Sequence, residues 1–243
     1  MKVLLQCHQC LNEFGLGGLQ PAVVQMNDER AFDMICPKGH KILTVIQQPK
    51  YEVLFEVGMN ALVDGYSREA VTAFASSLEV YYEFCIRQLL RLQGVNGEVV
   101  DLSWKLMAKQ SERQLGAFLL LWLNSFGSVP SILGDKTRGF RNKVVHQGYI
   151  PTAGEAIKFG DAVVECIRSN LRDIRSKYAD HLEEIYTSEF ICRAMQHGQQ
   201  VTTMSIPTTI SWLTLVQDDV TIDLVKRMAE IEGGKVMFQW PKF

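Results

Sequence analysis

Long apolar runs are scarce in this sequence. The strongest covers residues 115–123, ends at Asn124 and falls well short of the ~20 residues a membrane-crossing helix needs, so no membrane association is expected. Val3-Leu4-Leu5 is too short for the apolar core of a secretory leader. Cysteine is also sparse: six in 243 residues are too few for a disulfide scaffold, which points to a cytoplasmic protein whose cysteines need another use. Neither sign of charge dominates, with 25 Lys and Arg against 27 Asp and Glu, a net charge of −2 and an isoelectric point near 6.2. That balance excludes a protein coating nucleic acid along its length; any RNA contact must be local. The chain has no internal repeat, low-complexity tract or glycine-rich phosphate loop, and no carboxylate pair at hydrolase spacing. With 47% apolar and 21% charged residues it has an ordinary globular composition and enough length for a substantial core.

The N-terminal 49 residues read as a small β-rich domain. Two short strand-like runs, residues 2–5 and 31–35, each lead into a cysteine-containing turn: Cys7-His8-Gln9-Cys10 and Cys36-Pro37-Lys38-Gly39-His40. Thiolates and imidazole in a four-ligand set suit Zn2+ in tetrahedral geometry. The arrangement resembles the two knuckles of a zinc ribbon, with the second written C-x-x-x-H in place of C-x-x-C. The expected ligands are Cys7, Cys10, Cys36 and His40, with His8 pointing away. Four protein ligands close the site to substrate, so the zinc is expected to be structural and no catalytic metal is expected.

Beyond Pro49 the period becomes helical. Residues 51–62 form one amphipathic stretch, and Asp64-Gly65-Tyr66 breaks it. Ser67 reads as the cap of a helix reaching about Leu92, whose apolar stripe runs through Val71, Phe74, Leu78, Tyr82, Ile86 and Leu89. A turn at residues 94–97, a short helix over 102–109 and an apolar helix over 111–126 follow. The last is apolar nearly all round, so it is expected to be central or to lie at a subunit contact. A helix from about Pro151 to Tyr178 carries Ala156, Phe159, Val163, Ile167, Leu171 and Ile174, and residues 179–197 continue helical. His181 and His197 read as surface residues. Past Gln200, β-branched runs at 201–203 and 208–210, a short helix over 221–231, a glycine pair at 233 and 234, and residues 236–240 suggest a small α/β appendage, with strands available to pair with the ribbon.

Between the apolar helix and the closing one lies Phe140-Arg141-Asn142-Lys143-Val144-Val145-His146-Gln147-Gly148. Gly148 supplies a left-handed stop for the helix, and Asn142 and His146 share one face with Arg141 beside them. A permanent guanidinium beside a titratable imidazole suits phosphate chemistry. Lys136, Arg138, Arg141 and Lys143 make a local basic patch with no acid among residues 136–143.

The string Arg141-Asn142-x-x-x-His146, set among helices in this order, resembles the signature of the HEPN superfamily, with the likeness covering roughly residues 51–180. The resemblance implies a mainly α fold: a HEPN-like bundle over residues 50–198, with the zinc ribbon at 1–49 and the α/β segment at 199–243. It implies a homodimer and a metal-independent endoribonuclease acting on RNA. His146 would be the acid or base, Arg141 the phosphate ligand and Asn142 an orienting group, with Lys143 and Arg138 in support. An acidic residue of the long helix often faces the motif arginine in that family, and Glu79 looks equivalent. Phage defence or a toxin system is the setting implied for bacterial members. The alternative is a non-catalytic HEPN-like adaptor, binding protein or nucleic acid, with the ribbon or C-terminal segment as the contact.

Overall fold

The change of period at Pro49 is where the backbone changes from strand to helix. The computed structural model describes residues 1–16, 21–197, 201–212 and 221–237. The protein is mainly helical with small β parts. In chain order the elements are β1 (Lys2–Leu5), α1 (His8–Phe14), β2 (Ala22–Gln25), β3 (Ala31–Ile35) and β4 (Lys41–Ile46), then α2 (Lys50–Val63), α3 (Ser67–Leu92), α4 (Gly97–Met107) and α5 (Ser111–Phe126). They continue with α6 (Asp135–His146), α7 (Ala153–Lys177), a 3-10 turn at Ala179–His181, α8 (Leu182–Gln196), β5 (Val201–Met204) and α9 (Leu224–Met237). No helix among the described residues is long and apolar enough to cross a membrane.

The chain divides into two compact units, and neither is continuous in sequence. The first joins Met1–Pro49 to His181–Pro207; the second joins Lys50–Asp180 to the described residues from Thr208 onward. This differs from the three consecutive segments read from sequence. The expected bundle gives up α8 to the first unit, and the expected appendage is shared out, with β5 completing the first unit and α9 packing in the second.

In the first unit β1 and β2 pair antiparallel, with Val3 opposite Val24. β4 is the middle strand of a second sheet, antiparallel to β3 and parallel to β5, with Leu43 opposite Val201 and Ile46 opposite Met204. Val3, Leu5, Phe32, Met34, Ile42, Ile46 and Ile206 form one apolar cluster with Cys7, Cys10 and Cys36. α8 is tied to the sheet by charge. Glu189 accepts from Arg30 at 2.7 Å and from Arg193 at 3.3 Å, and Arg193 also donates to the carbonyl of Ile46. Burial, with Arg30 alongside, brings the Arg193 guanidinium down to about 10, so it stays charged at neutral pH.

In the second unit α3 is the central helix, packed by α2, α5, α6 and α7. α2 approaches it closely because residue 58 is glycine: a Cβ there would lie 2.5 Å from the Phe74 ring. Phe55 and Phe74 lie 4.5 Å apart, and Tyr82 stacks on Phe118 at 4.6 Å, which fixes α5 against α3. Only one face of α5 is covered. Phe118 and Trp122 are buried, whereas Leu120 and Leu123 are exposed, so this helix is not central. Two buried carboxylates on α2 hold the segment after β5. Glu52 accepts the Trp212 amide at 2.8 Å and the Thr208 hydroxyl at 3.0 Å; Glu56 accepts the amide and hydroxyl of Thr209 at 2.9 and 2.8 Å, and Arg227 at 3.2 Å.

Several boundaries differ from the sequence reading. Ser67 is the first residue of α3 rather than its cap, which falls on Tyr66 without a side-chain bond. α4 starts earlier than expected, at Gly97, because the Asn96 side chain accepts the Glu98 amide at 2.8 Å. Residues 208–210 are not a strand: 209 and 210 form a turn, and the Thr208 hydroxyl and Thr209 amide are taken by Glu52 and Glu56. α9 runs through Gly233 and Gly234 to Met237, so residues 236 and 237 are helical; the rest of the strand expected there lies outside the described residues.

Candidate functional site

Arg141, Asn142 and His146 lie on α6, which the sequence ends firmly. Gly148 takes φ 71°, the left-handed region that a side chain would strain, and the amides of Gln147 and Tyr149 both donate to the Lys143 carbonyl, at 3.1 and 3.2 Å. The turn into α7 is fixed by a reciprocal cap. Thr152 Oγ1 accepts the Glu155 amide at 3.3 Å, and the Glu155 carboxylate accepts the Thr152 amide at 2.8 Å and the Tyr149 hydroxyl at 2.9 Å. The Thr152 amide and hydroxyl, with Tyr149, hold the Glu155 carboxyl below its usual range. Val144 is buried and anchors α6, leaving His146 exposed at a braced corner.

The guanidinium of Arg141 meets three side chains. Nη2 donates to Glu79 Oε1 on α3, in an ion pair that is partly open to solvent. Nη1 donates to Asn142 Oδ1 at 3.1 Å and lies 3.3 Å from His146 Nε2. In a neutral imidazole with its lone pair on Nε2, His146 accepts from the arginine. Of the two acids on this stretch of α3, Glu79 faces the motif. Glu83 is turned to Arg87 at 2.7 Å, which also reaches Asp101 at 2.6 Å.

Arg138 lies on the same helix, exposed and paired with Asp135. Lys143 is exposed with no side-chain hydrogen bond or ion pair among the described residues. Beside Arg141 opens a cleft of about 280 Å3 between α3, the start of α5, the loop before α6 and α6 itself. Leu78, Tyr82, Leu115 and Leu133 wall it, and Glu79, Glu112, Arg138, Arg141 and Asn142 supply its polar edge. Burial pushes the Tyr82 phenol well up, so it stays protonated. His146 does not line this cleft, although it lies 3.3 Å from the Arg141 Nη1 that also bonds Asn142 at the cleft edge. The cleft walls escaped the sequence reading because they come from four separate elements.

The second cluster is in the first unit. Ligand atoms of Cys7, Cys10, Cys36 and His40 all lie within 4.8 Å of one another. Cys10 Sγ is 3.7 Å from Cys36 Sγ and 3.3 Å from His40 Nδ1, and Cys7 Sγ is 3.5 Å from the same nitrogen. Zn–S bonds of ~2.3 Å at tetrahedral angles separate two sulfurs by ~3.8 Å, so the spacing fits a metal and is far too wide for a disulfide. His40 turns Nδ1 inward, and its Nε2 lies 3.3 Å from Glu13 Oε2 on α1, a carboxylate placed to fix the ring as metal-bound histidines usually require. Glu13 had no signal in the sequence, since its partner lies 27 positions away. His8 is exposed, in the first turn of α1, and outside the cluster. His181 and His197 are exposed as well.

The four-residue cluster is therefore a Cys3His site able to hold a metal ion, and the Arg141 constellation is a charged, solvent-facing site at a helix end. Compared with protein-family models, curated proteins and solved structures, the chain matches none of them.

Proposed function

We propose that this protein is a metal-independent endoribonuclease of the HEPN type, working through Arg141 and His146. The observation that carries the reading is one guanidinium held by Glu79 while it touches Asn142 and lies 3.3 Å from His146 Nε2, at an open helix corner. An arginine kept in register by a carboxylate and aimed at a titratable imidazole is equipment for a phosphodiester. RNA brings its own nucleophile, so the protein needs only to move protons and offset charge. As Arg141 Nη1 turns from His146 Nε2 to the phosphate, the freed lone pair takes the proton of the 2′-hydroxyl, which attacks phosphorus. Arg141 binds the phosphate oxygens, whose charge grows in the transition state. The bond from phosphorus to the 5′-oxygen breaks, and that oxygen takes up a proton, leaving a 2′,3′-cyclic phosphate and a 5′-hydroxyl. A homodimer bringing two α6 corners together would supply the second histidine as the acid. Asn142 orients the guanidinium, while Lys143 and Arg138 add local positive field.

Zinc in the Cys3His cluster is the structural partner in this reading. The ion would be held by Cys7, Cys10, Cys36 and His40, with all four positions filled by protein. It ties β1, α1 and β3 together and takes no part in the chemistry at Arg141. Defence against phage or a toxin system is the biological setting we attach to the activity, by analogy with bacterial proteins of that type.

The adaptor reading has its own support in the exposed Leu102 and Leu106 on α4 and Leu120 and Leu123 on α5, apolar side chains suited to a protein contact. Cleavage of mixed RNA, with free Mg2+ removed and end groups mapped, separates the two. His146→Ala and Arg141→Ala should each lower the rate by about a hundredfold or more while the fold is retained. Wild-type protein inert on every RNA, together with destabilised variants, would leave the adaptor.

A further inference from the structure

We infer that the cleft beside Arg141 is a base-binding subsite that seats a guanine next to the phosphate held by that arginine. The inference rests on Arg141 being a phosphate ligand, and it names what the site selects. The arginine adjoins both the histidine and the cleft. Its Nη2 holds Glu79 and its Nη1 holds Asn142, both lining the cleft, while Nη1 also lies 3.3 Å from His146, which does not. A nucleotide with its phosphate on the guanidinium can therefore reach the cleft with an adjoining base.

The cleft suits a flat heterocyclic base. At about 280 Å3 it is at the small end for an organic ligand. Its walls, Leu78, Tyr82, Leu115 and Leu133, are apolar or aromatic, so they favour a flat ring over a charged or strongly hydrated group. Its two acids set the preference. Glu79 already spends one oxygen on Arg141, whereas Glu112, in the first turn of α5, has no hydrogen bond or ion pair among the described residues. A carboxylate only accepts. Guanine offers it two adjacent donors, N1–H and the 2-amino group, which match its two oxygens. Adenine and cytosine offer one amino group beside an acceptor nitrogen, and uracil offers one N–H between two carbonyls that a carboxylate repels. Reading a base by its Watson–Crick edge in this way is how single-stranded RNA is commonly recognised.

The test is calorimetric titration of the full chain with the 3′- and 5′-monophosphates of all four nucleosides, alongside cleavage of short RNAs differing at one position. The wild type should bind a guanosine monophosphate at least tenfold more tightly than the uridine one. Glu112→Gln should remove that preference by fivefold or more and leave uridine binding within twofold. Leu115→Trp, which fills the cleft, should weaken all four by tenfold or more, as should Arg141→Ala; circular dichroism and melting curves confirm that each variant is folded. Equal binding of all four nucleotides with Glu112→Gln neutral overturns the subsite. So does RNA cleavage without base preference that Leu115→Trp leaves intact, and then the ribonuclease stands alone. Selective nucleotide binding without any RNA cleavage does the reverse. Neither binding nor cleavage removes both.

Discussion

Replacing Arg141 by lysine keeps the charge and removes the fork, so it asks which of the two the site uses. Arg141 serves Glu79 with one terminal nitrogen and Asn142 and His146 with the other. A lysine presents a single ammonium on a flexible stem and cannot hold both sides at once. The stability cost should be small. The ion pair is partly exposed, at 21% for Arg141 and 35% for Glu79, and pairs of that kind are worth about 0.2–1 kcal/mol. In a chain of this size that is a fall in Tm of no more than about 4 °C. The rate should respond far more, since losing an aligned donor to a developing oxyanion costs about 2.7–4 kcal/mol, or a hundred- to a thousandfold. Glu79→Gln should cost about tenfold through looser aim of the guanidinium, an order-of-magnitude figure for a positioning residue. If Glu79 acts only through Arg141, Glu79→Gln should cost nothing further once residue 141 is lysine. Rates on one RNA for the four proteins, with melting curves for each, complete the cycle. Arg141→Lys retaining a third or more of the wild-type rate would show that the fork is not used. An equal penalty from Glu79→Gln in both backgrounds would place its role elsewhere.

Zinc should co-purify at about one ion per chain, and Cys36→Ser should unfold the first unit while α2–α7 keep their helicity; metal analysis and hydrogen exchange check this, and zinc-free protein with an intact first unit would contradict it. Glu56→Ala should destabilise the second unit by about 1–3 kcal/mol, because it leaves the Thr209 amide and hydroxyl without their buried acceptor, whereas Arg227 keeps Glu230 at 3.2 Å. A Tm unchanged within 2 °C, a limit set by the ~2–4 °C per kcal/mol expected at this size, would refute that burial. The protein should be dimeric by light scattering at micromolar concentration. Leu120→Glu with Leu123→Glu should make it monomeric, whereas a wild-type monomer would leave those leucines without a partner.

The helices were legible because each is written locally. The stripe through Val71, Phe74, Leu78, Tyr82, Ile86 and Leu89 is buried or nearly so in α3, and glycine 148 ends α6 where its position implied. The cysteine knuckles were legible for the same reason, as each pair of ligands sits in one short turn. Pairings across the chain were not. β4 lies parallel to β5 more than 150 residues away, as the bond between Thr44 and Thr202 shows, and no local pattern encodes such a register. Glu52 and Glu56 mislead for that reason too. On an isolated helix they would be solvated acids, and they are buried because Thr208, Thr209, Trp212 and Arg227 bring donors to them. Periodicity also could not separate Glu79 from Glu83, one turn apart on the flank of the stripe. What separates them is the company each keeps, Arg141 for one and Arg87 for the other.

The interleaving of the two units imposes an order on biosynthesis. β4 leaves the ribosome early, but β5, its partner on the open side, follows only after the helices between them have been made. At ~5–20 residues per second that interval is roughly 8–30 s. The four residues of the Cys3His site are all present from the start of it, so a metal ion can gather the nascent knuckles while the sheet still has a bare edge. Until β5 docks, that edge is a template for pairing with another chain. Glu189 arrives just before β5, so α8 reaches Arg30 and closes over the sheet in the same late step. A fragment cut before α8 therefore keeps the Cys3His residues and loses its guard, and it should be recovered as aggregate that still takes up metal rather than as a free-standing domain.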